Sequence, residues 1–167
     1  MNTFVNISES LVRPEALSYF MVREFAFDQS KQRAVEDFMQ TRYFCWQEEF
    51  RNEVEITNDN GRHYVDWNFH GFSDIKKMKQ EHFVKVGALE FVQRFMTFIE
   101  LQIGADPKLP EIEILLKDLV DIKSQFYIIS ELSEDIHHEW TVYEFFISGF
   151  KINPDKKLLT AIEFGLD

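Results

Sequence analysis

The stretch SDIKKMKQEHFVKVGALEFVQRFMTFIELQIG, residues 73–104, is the segment around which the sequence predicts the fold to be organised. Its second half carries two neighbouring apolar rows at helical spacing: Leu89, Val92, Met96, Ile99 and Ile103 in one, and Ala88, Phe91, Phe95 and Phe98 in the other. Two adjacent rows form a stripe wider than one partner helix covers, which predicts a helix in the middle of the fold. Ser73 is expected to cap this element, Gly87 to break or bend it and Gly104 to end it.

The segments after this stretch also show helical spacing. Pro110 suits a helix start, and apolar residues continue at intervals of three and four to Ile129. Further helices are predicted from Ser133 up to Gly149 and over residues 154–164, the second capped by Asn153 with Pro154 as its first residue. Strands remain the alternative over 126–129, and a hairpin pairing 141–152 with 157–164 competes with the two C-terminal helices.

The segments before it predict two more helices and one hairpin. The helices are expected over residues 14–27, with a strand at 20–27 as the alternative, and over about 30–52. Residues 53–57 and 62–69 alternate apolar and polar side chains around the turn sequence Asn58-Asp59-Asn60-Gly61, which predicts a β-hairpin. The prediction is therefore a mainly α, compact single domain over residues 1–167, a bundle of five to six helices with one β-hairpin (residues 53–69). The alternative is an α+β fold with a C-terminal hairpin.

Composition limits the functional class. The 167 residues include 18 Phe and carry a formal net charge of −11. That charge argues against nucleic acid or an anionic membrane as the main partner, and favours a basic protein. A single cysteine, Cys45, excludes an internal disulfide. Because the N-terminus lacks a secretory signal pattern and no segment is long enough to span a bilayer, a cytoplasmic protein is expected.

Candidate chemistry is sparse. Glu134 and His137 form one Glu-x-x-His unit, but di-metal helical bundles need two such units. His63 and His70 are seven residues apart, which places them on opposite faces of a regular strand. Cys45 lies among aromatic and acidic residues, the reverse of what activates a thiol. No catalytic motif or phosphate-binding loop occurs. The sequence therefore predicts no catalytic residue, no metal and no cofactor.

Two acid-rich segments remain, Glu48–Asp59 and Glu131–Glu139. On one face they would form a surface able to attract a basic protein. The predicted protein-binding residues are Glu48, Glu49, Glu53, Glu55, Asp59, Glu131, Glu134, Asp135 and Glu139, with Trp67 and Phe69 as aromatic anchors.

The leading hypothesis is an acidic, non-catalytic module that neutralises a basic protein. In general character the chain resembles the immunity proteins that bacteria pair with secreted nuclease toxins: small, acidic and free of catalytic motifs. No residue motif carries that resemblance, so it assigns no site residue. Two alternatives stay open. One is a small-ligand or metal-binding enzyme with a Phe-lined pocket. The other is a self-associating structural subunit, for which a homodimer would be the simplest form.

Overall fold

A computed structural model describes residues 3–15, 17–28, 33–41, 43–44, 54–58, 61–65, 69–70, 73–74, 77–129 and 145–166, with the backbone alone given between 54 and 74. These residues form ten strands: β1 Phe4–Val12, β2 Ser18–Phe27, β3 Val54–Asn58, β4 Gly61–Val65, β5 Phe69–His70, β6 Ser73–Asp74, β7 Phe83–Val86, β8 Gln125–Ile129, β9 Phe145–Asn153 and β10 Leu158–Leu166. They also form three α-helices: α1 Ala34–Met39, α2 Ala88–Ile103 and α3 Leu109–Asp118. No helix in these ranges is long and apolar enough to cross a membrane.

Six strands form one antiparallel sheet in the order β1-β2-β10-β9-β8-β7. Short connections make hairpins of β1–β2 and β9–β10. The connection between β7 and β8 is longer and contains α2 and α3. Separate two-stranded ribbons are formed by β3 with β4 and by β5 with β6.

The sheet separates two apolar cores, because successive side chains of a strand point to opposite faces. In β10, Leu159 and Ala161 belong to the core that contains α1, whereas Ile162 and Phe164 belong to the core that contains α2 and α3. The central strands are therefore covered on both sides, and most residues of β2 and β10 are buried. We call the two sides the α1 face and the α2 face.

Phenylalanine rings fill both cores. On the α1 face, the Phe38 ring lies 4.8 Å from the Phe25 ring and 5.6 Å from the Phe150 ring, centroid to centroid. On the α2 face, the Phe91 ring lies 4.8 Å from that of Phe95 and 5.3 Å from that of Phe126. Such tilted and edge-to-face contacts add to the free energy gained by burying the rings.

Helix α2 confirms the helical prediction for residues 88–103. Gly87 occupies the N-cap, and Gly104 ends the helix with a φ of +59°, a conformation that side chains with a Cβ rarely adopt. The residues buried against the sheet are Phe91 and Phe95 from one predicted row and Ile99 from the other. Leu89 and Leu101 are 79% and 75% exposed. The helix thus covers one face of a sheet, and the prediction that it lies in the middle of a bundle is wrong.

The mainly α prediction is wrong because several expected helices are strands. Residues 14–27 contain β2, residues 125–129 contain β8, and the C-terminal residues form the β9–β10 hairpin. A strand that is buried on both faces reads as a continuous apolar run, and such a run also satisfies helical spacing. The alternative of a C-terminal hairpin, predicted over 141–152 and 157–164, is present as Phe145–Asn153 paired with Leu158–Leu166.

Other expectations are met in part. The hairpin predicted over residues 53–69 is confirmed where β3 pairs with β4, but β4 ends at Val65 and Phe69 belongs to β5. The helix expected over about 30–52 contains α1, and residues 45–52 lie outside the described ranges. Pro110 lies in the first turn of α3, as predicted, although this helix ends at Asp118. Ser73 does not cap a helix, because it lies in β6.

Candidate functional site

Most of the predicted binding residues lie outside the described part of the chain. Only two belong to described strands: Glu55 in β3 and Phe69 in β5, both with backbone alone. The predicted residues outside the described ranges are Glu48, Glu49, Glu53, Asp59, Trp67, Glu131, Glu134, Asp135 and Glu139. The structure therefore locates only the points of the described chain that precede the two acid-rich segments, which are Phe44 and Ile129.

Those points are neighbours. The first segment follows Phe44, whose ring centroid lies 6.4 Å from that of Phe83 in β7. Phe83 pairs directly with Ile129, the last residue of β8, and the second segment follows Ile129. Met78, which lies after the first segment, is buried in the same core as Phe44 and Phe83. The last described residues before the two acid-rich segments, Phe44 and Ile129, thus both lie beside Phe83 at the β7–β8 edge of the sheet, on its α1 face.

Further from that edge, the α1 face holds a group of buried polar side chains that the sequence reasoning missed. Arg23 of β2 donates a 2.5 Å hydrogen bond from Nη2 to Oε1 of Glu163 in β10, which forms a buried ion pair. The hydroxyl of Tyr19 donates to the other carboxylate oxygen at 3.3 Å. We call Tyr19, Arg23 and Glu163 the polar cluster.

The strand register explains why these three side chains meet. In the register of β2 and β10, Arg23 lies opposite Ala161 and Tyr19 lies opposite Gly165. Glu163 stands midway between these two β10 residues, so Arg23 and Tyr19 are its diagonal neighbours on the same face of the sheet. The Arg23 guanidinium also lies 5.9 Å from the centroid of the Phe25 ring, within the range of a cation–π contact. The ion pair thus lies in the middle of the sheet, with Ser148 of β9 opposite Glu163 and Glu9 of β1 opposite Arg23.

The polar cluster is arranged to hold charge and not to transfer protons. Each oxygen of Glu163 already accepts a hydrogen bond, and its side chain is only 2% exposed. A general base needs a lone pair that faces a substrate, so this carboxylate is poorly placed for that role. Arg23 Nε is buried and has no hydrogen-bond partner among the described residues. The charge of Glu163 between Ile162 and Phe164, and the charges of Arg23 and Glu24 between Val22 and Phe25, were the sequence signal for this cluster.

A second polar group lies in the loop between α3 and β8. The carboxylate of Asp121 accepts hydrogen bonds from Ser124 Oγ at 2.6 Å, from the Lys123 N–H at 2.8 Å and from Asn153 Nδ2 at 3.3 Å. Lys151 Nζ lies 3.1 Å away. Burial raises the pKa of Asp121, but these hydrogen bonds and the Lys151 charge outweigh burial and hold the pKa well below its ordinary value of 3.8. Every partner is internal, so this group fastens the loop to β9.

Replacing Asp121 with Asn is expected to lower the free energy of unfolding at pH 7 by about 1–2 kcal/mol, since the hydrogen bonds lose their ionic partner. The folded-state pKa lies below the unfolded value of 3.8, so this stabilisation is fully present above that pH and is lost as the pH falls further. Urea unfolding at pH 7 and near pH 3 should show the difference between wild type and variant shrinking in acid. Asp118→Asn, in the last turn of α3, serves as the control; an equal loss there would contradict the prediction.

Metal ligands do not cluster in the part of the chain that is described, where no group of three His, Cys, Asp or Glu side chains could hold an ion. His63 and His70 lie in β4 and β5, and Cys45 and His137 lie outside the described ranges. No protein-family model and no curated protein sequence matches this chain. Function is therefore inferred from the residues of this chain alone.

Proposed function

We propose that this chain is an acidic, non-catalytic protein-binding module that neutralises a basic protein, in the manner of an immunity protein that blocks a nuclease-type toxin. The observation that supports the proposal is that Phe44 and Ile129, the last described residues before the two acid-rich segments, both lie beside Phe83 of β7. Because one acid-rich segment follows Phe44 and the other follows Ile129, the proposal assigns their carboxylates to one surface. Carboxylates supplied from two chain segments can then act on one partner surface.

The distribution of charge supports this proposal. The ranges with described side chains contain 16 acidic and 13 basic residues, and the rest of the chain contains 13 acidic and 5 basic residues. Most of the net charge of −11 therefore belongs to the second set. Residues 130–144 alone include five acids and neither Lys nor Arg. Exposed pairs such as Arg94–Glu90 and Lys117–Glu113 neutralise part of the acidic charge of the helices.

The proposed mechanism is electrostatic attraction followed by occupation of the partner's functional surface. A concentration of carboxylates raises the rate of encounter with a basic protein and covers the surface that would bind an anionic substrate. Trp67 and Phe69 are the proposed anchors, because aromatic side chains supply much of the binding free energy at interfaces. The same charge distribution disfavours nucleic acid and anionic membranes as partners.

The test compares charge reversal in the acid-rich segments with an equal change elsewhere. A basic protein captured from the native host would be purified, and its association with the chain followed by stopped-flow fluorescence at several salt concentrations. The triple variant Glu131→Lys/Glu134→Lys/Glu139→Lys is expected to lower the association rate constant by at least about tenfold, and added salt should lower the wild-type rate similarly.

The matched control is Glu100→Lys/Glu111→Lys/Asp118→Lys, three exposed acids of α2 and α3. This control should change the rate constant by less than about twofold, since its net charge change is the same but its location differs. If both triple variants lowered the association rate constant equally, overall charge alone would explain the effect. That result would contradict the proposed site. A captured partner that is acidic would overturn the proposal as a whole.

A further inference from the structure

Strand β1 leaves one edge of the sheet open. It pairs with β2 on one side, and on the other side it pairs with no strand in the part of the chain that the structure describes. Seven consecutive residues, from Val5 to Leu11, are exposed. Unpaired backbone N–H and C=O groups on such an edge can form a ladder with another extended chain.

The side chains of β1 are unusual for an unprotected edge. Val5, Ile7 and Leu11 are 58%, 51% and 43% exposed. Proteins commonly protect edge strands with Lys or Pro, and β1 contains neither. Its single charged residue is Glu9. Glu9 lies opposite Arg23 in the strand register, but the charge of Arg23 is already neutralised by Glu163. The edge therefore offers apolar contact area together with one uncompensated carboxylate.

The surroundings of this edge are acidic. Glu15 is exposed just after β1, and Glu24 is paired with Ser8 from the neighbouring strand. The exposed bases nearby are Arg13, just after β1, and Lys157, whose Nζ donates to the Asp28 carbonyl at 3.0 Å near the other end of β1. A partner with positive side chains therefore complements this edge better than a neutral or an acidic one.

Register defines where those positive side chains should be. Leu11 is paired with Met21 and Glu9 with Arg23, so both project from the α1 face, two residues apart. In an added strand, the residues beside Glu9 and Leu11 would also be two positions apart and on that face. We propose that the β1 edge binds an extended segment of another protein by strand addition, and that this segment places a basic residue beside Glu9 and an apolar residue beside Leu11.

A second copy of this chain fits the edge less well. The register of β1 shifts between Asn6 and Ser8, which is a bulge, so two rigid copies could form a regular ladder only over residues 8–12. Such a short ladder buries much less than the roughly 1,200 Å² of a stable interface. Each copy also carries a net charge of −11. A flexible segment can follow the bulge and cover Val5 and Ile7 as well.

The probe is a fluorescein-labelled seven-residue peptide of alternating Lys and Val, titrated by fluorescence anisotropy. Wild type is expected to bind it, and Glu9→Lys and Leu11→Lys are each expected to weaken binding by on the order of tenfold. Glu81→Lys, an equal charge change beside β7 at the opposite edge, should change the affinity by less than about twofold. Amide exchange of β1 should slow when the peptide is bound.

Two further peptides separate strand addition from charge attraction. Alternating Glu and Val should not bind, and the Lys–Val peptide with N-methyl groups on alternate residues should lose binding because it cannot complete the ladder. Equal binding of the methylated peptide would overturn the proposal without requiring any variant. A chain dimer in sedimentation that Leu11→Lys dissociates would overturn it too, since a second copy would then occupy the edge. The triple variant Glu131→Lys/Glu134→Lys/Glu139→Lys should keep peptide binding, which separates this surface from the proposed function.

Discussion

Replacing Glu163 with Leu is expected to lower the free energy of unfolding by about 3–5 kcal/mol, the largest loss for a side chain outside the apolar cores. The substitution leaves the Arg23 guanidinium buried without its anion, and only 10% of that side chain is exposed to water. It also removes the acceptor of the Tyr19 hydroxyl. Urea unfolding monitored by circular dichroism would give the free energy, with the m-value confirming an unchanged transition.

The double variant Arg23→Met/Glu163→Leu is the informative control. An apolar pair of similar volume removes the cost of burying two charges, so most of the loss should be recovered. A double variant that is less stable than Glu163→Leu alone would show that the Arg23 guanidinium stabilises the fold through other contacts, such as that with Phe25. The ion pair also links β2 to β10, and a slip of one residue between them would place the two charges on opposite faces.

Local chemistry made parts of the fold predictable. Gly87, Pro110 and Gly104 mark helix ends in the sequence as they do in α2 and α3, because caps and breakers act within one or two turns. The β3–β4 hairpin was predictable for a similar reason, since its turn residues and alternation lie within a dozen residues. These predictions needed no knowledge of what covers each element.

Strands that are covered on both faces could not be recognised in this way. Leu158, Leu159 and Ile162 have helical spacing, yet they belong to β10, whose residues are mostly buried by helices on both sides of the sheet. Apolar residues occur where side chains are buried. When a strand is buried on both faces, the alternation of apolar and polar residues that identifies a strand is lost. Only the tertiary arrangement decides between the two structures.

The turn before β10 shows how one local signal can serve two structures. Asn153-Pro154-Asp155 suggested the start of a helix. In the structure the Asn153 side chain accepts a hydrogen bond from the Lys156 N–H at 3.0 Å, and Lys157 follows with a φ of +53°. The same side-chain chemistry caps helices and closes turns, so the residues alone do not choose between them.

The candidate sites were predictable to different degrees. The acid-rich segments are visible in the sequence, but the closeness of the residues that precede them depends on the pairing of Phe83 with Ile129 across a 46-residue separation in sequence. The polar cluster depends on Arg23 and Glu163, which are 140 residues apart. Such contacts come from sheet topology, for which short-range patterns hold no information.

Replacing Gly149 with Ala is expected to destabilise the fold by about 3 kcal/mol, through overpacking between the sheet and α2. Gly149 lies in β9, paired with Ile128 on one side and Ile162 on the other. A Cβ at this position would lie 2.5 Å from the Tyr127 carbonyl oxygen and 2.7 Å from Phe91 Cε2. Neither atom can move away easily. The oxygen belongs to the backbone of the adjacent strand, and the Phe91 ring is packed against other buried rings.

A matched substitution separates overpacking from the general effect of losing a glycine. Gly87 has no atom within 4 Å of an added Cβ and has a φ of −71°, so Gly87→Ala is expected to change stability by less than about 1 kcal/mol. Thermal and urea unfolding of both variants would measure the difference.

The double variant Phe91→Leu/Gly149→Ala should be more stable than the sum of the single losses implies, because the smaller side chain vacates part of the space. If the losses in free energy of unfolding simply add, the contact with the Tyr127 carbonyl oxygen dominates. If Gly149→Ala leaves stability unchanged, α2 lies further from β9 than in the structure, which would contradict the prediction.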